Sequence, residues 1–129
     1  GANLANANLA NADLANANLA YADLTNANLT NANLTGATLT GVCMNNVTIG
    51  RYTTGLDSEN FLGAYITTAF NKDDADDFES AKDQLLQQNT YLINRLKDAG
   101  YELVLDEVEK ANGIVKYVIK KPIKKKLFW

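Results

Sequence analysis

Histidine is absent from this 129-residue chain, and cysteine, proline, methionine and tryptophan occur once each. Serine occurs only at Ser58 and Ser80. The missing His excludes imidazole acid/base chemistry, Ser–His and Cys–His nucleophile pairs and the ordinary zinc ligand sets. No metal, cofactor, catalytic residue or small-molecule substrate is expected. A lone Cys43 excludes an internal disulfide and fits a reducing, cytoplasmic compartment. No apolar run approaches the roughly 18 residues of a membrane span. Charge is scarce at the start: residues 1–51 carry only Asp13, Asp23 and Arg51. The polar opening does not read as a signal peptide. Gly1 in place of Met reads as a processed, tag-cleaved or cut end.

Asparagine is abundant in the same stretch, with 12 residues in 1–51. They fall in a five-residue repeat, ANLAN ANLAN ADLAN ANLAY ADLTN ANLTN ANLTG ATLTG VCMNN VTIGR, from Ala2 to Arg51. The apolar centres are Leu4, Leu9, Leu14, Leu19, Leu24, Leu29, Leu34, Leu39, Met44 and Ile49. Ala or Val stands two residues before each. A helix needs apolar residues at i, i+3, i+4 and i+7, and a long strand needs unbroken alternation. Neither fits a period of five. A short extended piece followed by a corner does fit. Residues two apart face the same way, so Ala and Leu point inward and the residue between them points out. Asn and Gly at the corners tolerate left-handed conformations. Repeated corners wind the chain into stacked coils whose inner ladder is the ten centres.

The Ala-Asn/Asp-Leu-x-x quintet resembles the pentapeptide-repeat protein family. The resemblance implies a mainly β fold, a right-handed quadrilateral β-helix with four quintets per coil. Eight of the ten quintets are nearly identical, which leaves a consensus-designed or recently duplicated array as alternatives. Some family members act as acidic DNA mimics, but Asp13 and Asp23 alone make no such face.

After Arg51 the phase breaks, and Leu56, Phe61 and Ile66 resume the spacing shifted by two. Residues 52–70 read as a degenerate last coil, or as a short helix over 57–70. Glu59 fits an inward site poorly. Residues 71–100 carry helix signals: Asn71, Asp73 and Asp74 as N-caps, an acidic first turn, Phe78, Ala81, Leu85, Leu92, Leu96 and Ala99 on one face, and Gly100 as a stop. The helix is continuous or breaks near Gln88–Thr90. Residues 101–110 and 114–121 read as strands around Asn112-Gly113, a hairpin signal. A two-residue turn sets Glu109 opposite Lys116 and Val108 opposite Tyr117, and Pro122 ends the second strand. The expected organisation is a repeat unit at 1–70 and a helix–hairpin cap with basic tail at 71–129.

Two functions follow. The first is a non-enzymatic structural module, either a designed protein or the end piece of a larger assembly, acting by coil stacking or self-association. Its expected partner is a second copy, as a dimer or filament, through the open first coil where Leu4 and Leu9 start the ladder. The alternative is a binding module. Lys116, Lys120, Lys121, Lys124, Lys125 and Lys126 could contact nucleic acid, and Tyr91–Tyr101 before a hairpin resembles a winged-helix recognition helix. The bland reading of the lysines is a solvated strand end. Leu127-Phe128-Trp129 could dock on the body or on a partner. The Asn-x-Thr triplets at Asn28, Asn33 and Asn46 are by-products of the repeat. Cys43 reads as a partly exposed thiol, and the acids at 73–77 as a capped helix start.

Overall fold

The computed structural model describes residues 1–56 and 61–121. Its elements are β1 (Tyr65–Ala69), α1 (Ala75–Gln88), α2 (Thr90–Asp98), β2 (Glu102–Leu105), α3 (Glu107–Ala111) and β3 (Ile114–Lys120).

The repeat region pairs with itself at a fixed offset. Parallel bridges join Asn3 to Asp23, Asn8 to Asn28, Asp13 to Asn33, Asn18 to Thr38, Asp23 to Cys43 and Asn28 to Thr48. The chain therefore returns over itself every four quintets. The bridging residues are the outward ones, so the flanking Ala and Leu fall inside. Ala22, Leu24, Ala27, Leu29, Ala32, Leu34, Ala37 and Leu39 are completely buried. Each such Leu contributes about 1.5–3 kcal/mol by leaving water. Alanine suits the site beside each corner because the next backbone crosses there.

The corners need positive φ. Asn6, Asn11, Asn16, Asn26, Asn31 and Asn46 take φ between 52° and 64°. Asparagine tolerates this region better than other residues with a Cβ. Stacked corner amides also bond to each other, Asn31 Nδ2 to Asn11 Oδ1 at 3.1 Å and Asn46 Nδ2 to Asn26 Oδ1 at 2.8 Å. Gly41, itself at φ 69°, answers to a second constraint: the Tyr21 ring lies where its Cβ would be. Along the walls, outward Asn or Asp side chains accept the N–H two residues on, as Asn8 Oδ1 does from Ala10 at 3.1 Å.

The phase break after Arg51 is absorbed in two steps. Asn33 bridges Thr54, one residue late, and Cys43 bridges Tyr65, two residues late. Thr53 is the displaced residue, fully buried, and its hydroxyl donates to the Leu29 carbonyl at 2.6 Å. Tyr65 begins β1, which pairs on its far side with β3 in an antiparallel sheet of order β1-β3-β2. One wall of the repeat thus runs without interruption into the C-terminal sheet.

The C-terminal segment departs from the expected hairpin, while its helical region takes the broken form of the two expected. Its helical region breaks at Asn89 into α1 and α2, and Asp74 caps α1 by accepting the Asp76 N–H at 3.0 Å. The two-residue hairpin expected around Asn112-Gly113 is replaced by a helical turn. Asp106 Oδ1 accepts the N–H groups of Val108 and Glu109 at 3.0 and 3.2 Å and starts α3. Gly113, at φ 79°, then reverses the chain. The expected strand over 101–110 shrinks to Glu102–Leu105, and its register moves: Leu105, not Val108, lies opposite Tyr117. Val108 is exposed and pairs with nothing in the sheet. Phe78, Leu85, Leu92 and Leu96 bury the apolar face of α1 and α2, and Tyr101 meets Phe61 edge-on at 6.2 Å. Cys43 is buried rather than partly exposed, because Thr25 and Tyr65 flank it in the wall. The expectations for Glu59, Pro122 and residues 124–129 lie outside the described residues.

Candidate functional site: the two ends of the stack

The two edges of a parallel coil are chemically different, and the hydrogen-bond pattern shows how. On its first side, the second coil uses Asp23 O and Thr25 O to accept from Leu4 and Asn6. It also uses Asp23 N–H to donate to Ala2 O. The same triplet recurs at Asn28 and Thr30, at Asn33 and Thr35, and at Thr38 and Thr40. Each side therefore presents two carbonyls and one N–H towards the preceding coil. The opposite edge presents two N–H groups and one carbonyl.

In the first coil the accepting groups are the carbonyls of Asn3, Ala5, Asn8, Ala10, Asp13, Ala15, Asn18 and Ala20. Ala20 O takes the Gly1 ammonium at 3.2 Å. The ladder loosens at this rim. Leu4, Leu9 and Leu14 are only half-buried and Leu19 is 9% exposed, whereas Leu24, Leu29, Leu34, Leu39 and Met44 are completely buried. Ile49, at the other end of the ladder, is 5% exposed.

The far end of the repeat is closed by side chains that stand in for a further coil. Asn45 bonds the Thr67 backbone twice, Nδ2 to its carbonyl at 2.9 Å and Oδ1 from its N–H at 2.7 Å. Asn46 N–H donates to Asn89 Oδ1 at 2.8 Å. Asn89 is itself buried, and its Nδ2 donates to the Leu85 carbonyl at 2.8 Å. Arg95 reaches down from α2 with both terminal nitrogens, to Gly50 O at 2.8 Å and Thr53 O at 2.6 Å. A planar fork suits two carbonyls at fixed spacing. These residues escaped the sequence reading. The only signal was the polar Asn89 between two amphipathic stretches.

The lysines are scattered. Lys116 Nζ sits 4.5 Å from the Tyr65 ring centre and Lys110 Nζ 4.2 Å from that of Phe78. Lys82 pairs with Glu79 at 2.8 Å. Lys120 and Lys121 are exposed at the end of β3, and Lys124, Lys125 and Lys126 lie outside the described residues. Asp23 lies on the repeat wall with a lowered pKa. The Thr25 hydroxyl, at 2.6 Å, and then the Thr25 N–H hold it below the usual carboxylate value. Among the described residues no acidic, His or Cys cluster is placed to hold a metal, and no helix is long and apolar enough to cross a membrane.

Residues 1–36 and 12–49 match the family model for pentapeptide repeats, in eight copies. The N-terminal region therefore carries pentapeptide repeats. That family implies a β-helix there, and the small antiparallel sheet with its helices follows it. No curated protein matches the chain.

Proposed function

We propose that this chain is a structural repeat module without catalytic activity. Residues 2–51 form a right-handed quadrilateral β-helix, and the C-terminal helices and sheet cap one end. The other end acts by stacking. The observation that carries the reading is the asymmetry of the two ends. One has backbone groups bonded by Asn89 and Arg95, and its Asn45 side chain bonds the Thr67 backbone. The other carries half-buried leucines under a row of carbonyls. Edges of that kind recruit another β edge. The partner is a second copy of the chain. Of the lysines of the nucleic-acid alternative, Lys116 lies over the Tyr65 ring and Lys120 and Lys121 are exposed at the end of β3, an arrangement that favours neither reading.

Light scattering on the native chain and on Leu4→Lys, at tens of micromolar, tests the proposal. The native chain should associate with rising concentration and the variant should not. A native chain that stays monomeric throughout would overturn it.

A further inference from the structure

We infer that self-association runs head to tail, with the rim strand of one copy adding to the outer edge of β2 in the next. This rests on the stacking reading above and names the second surface it needs.

The continuous wall supplies that surface. Its rows are Asn3, Asp23, Cys43, Tyr65, Val118 and Val104, each bridged to the next. One margin is the rim strand around Asn3. The other is β2, which pairs only with β3 among the described strands. Strand direction can be followed across all six rows. The coils and β1 are parallel, β1 and β3 antiparallel, and β3 and β2 antiparallel. β2 therefore runs in the same direction as the rim strand at the opposite margin. A second copy displaced along the wall brings its rim strand beside β2 in the parallel sense that the repeat already uses.

The outward-directed backbone groups match. Asp106 N–H donates to Lys116 O at 2.8 Å, so in this antiparallel pair residues 102, 104 and 106 bond inward to β3. Leu103 and Leu105 then direct their N–H and C=O groups away from it. Within the repeat, Asp23 lies opposite Asn3 and bonds Ala2 O and Leu4 N–H. With Asn3 of the arriving copy opposite Val104, the same geometry pairs Asn3 N–H with Leu103 O and Asn3 O with Leu105 N–H. Rim-to-rim pairing matches less well, because each side brings two carbonyls and only one N–H.

The side chains agree as well. Val104 and Asn3 both point outward and are exposed. Leu103 and Leu105 are half-buried on the inner face, and Leu103 lines an open groove of about 460 Å³ with Ile93, Leu96 and Tyr117. In the docked register they meet Ala2 and Leu4 of the arriving rim, which are likewise incompletely covered. Such a contact is heterologous and open-ended, so it builds a filament rather than a closed dimer.

Sedimentation velocity on the 129-residue chain tests this, using the unsubstituted protein, Leu4→Lys (rim blocked) and Leu103→Lys (edge blocked). The native chain should form an open series of oligomers. Each variant alone should be monomeric, and their equimolar mixture should give a one-to-one dimer, since each supplies the surface that the other lacks. Leu105→Lys repeats the edge block if Leu103→Lys does not fold, as judged by thermal melting. An edge variant that associates like the native chain, or a mixture without a heterodimer, overturns head-to-tail pairing while rim stacking stands. A native chain that never associates overturns both.

Discussion

Asn89 accepts the backbone N–H of Asn46 through its Oδ1 at 2.8 Å, across 43 residues of sequence. Within the repeat the equivalent N–H groups of Asn6 and Asn26 donate to carbonyls of the following coil. A single amide at the break between α1 and α2 thus replaces a strand. Removing it by Asn89→Ala takes the partner from two backbone groups, the part-buried Asn46 N–H and the buried Leu85 O. The expected loss is about 1–3 kcal/mol, read as a lower denaturant midpoint. Gln88→Ala, next door and exposed, should shift the midpoint by no more than about 0.5 kcal/mol.

Arg95 holds two carbonyls at once, so its replacement by lysine is not conservative. Arg95→Lys should recover less than half of the stability lost in Arg95→Ala, because one ammonium cannot reach Gly50 O and Thr53 O in the same fork. Thermal melts of the two variants decide it. Equal melting of Arg95→Lys and the native chain would show that charge alone matters at this site.

The inner ladder should tolerate no charge. Leu24→Asp puts a carboxylate where the side chain is completely buried with no partner. The cost is several kcal/mol, comparable with the whole stability of a small domain. The protein should fail to fold, as seen by circular dichroism. Asn18→Thr should be nearly silent, since Thr38 already occupies the bridged position one coil on.

Acid should weaken the repeat wall through Asp23. Its pKa in the folded chain lies below the ordinary value of 3.8 because of the Thr25 hydroxyl and N–H. Its stabilising contribution is therefore complete above the unfolded value and is lost as pH falls through the lower folded one. Melting temperature should drop on going below about pH 4, and Asp23→Asn should show a shallower drop over the same range.

The repeat was legible because a period of five with Asn or Gly at every corner admits few backbone solutions. The residues that define its offset, Asn3, Asp23 and Cys43, needed only one further fact, four quintets per coil. The C-terminal sheet was harder. Asn112-Gly113 is a strong hairpin signal, but Asp106 with Glu109 three residues on is also a helix-start signal, and the local helix prevailed. That choice moved the register from Val108 to Leu105. The wall joining Cys43 to Tyr65 and onward to Val118 and Val104 could not be read from spacing. It depends on a two-residue slip spread over Thr53–Tyr65 and on a strand that returns from 53 residues away along the chain (Tyr65 to Val118). Arg95 and Asn89 were hidden because their partners are backbone atoms, which carry no sequence signature.

Residue-resolved amide exchange by NMR, on the Leu4→Lys chain that is expected to stay monomeric, tests the twenty-residue stack and its open rim most directly. Asn28, Asn33 and Thr38 donate their N–H groups to Ala7, Ala12 and Ala17 of the coil above, at 2.9 Å each. Asn8, Asp13 and Asn18 hold the same repeat position in the first coil, at the rim. The first three should exchange slowly and the second three rapidly, although their quintets are nearly identical in sequence. Equal exchange at the two sets, fast or slow, would contradict the stack described.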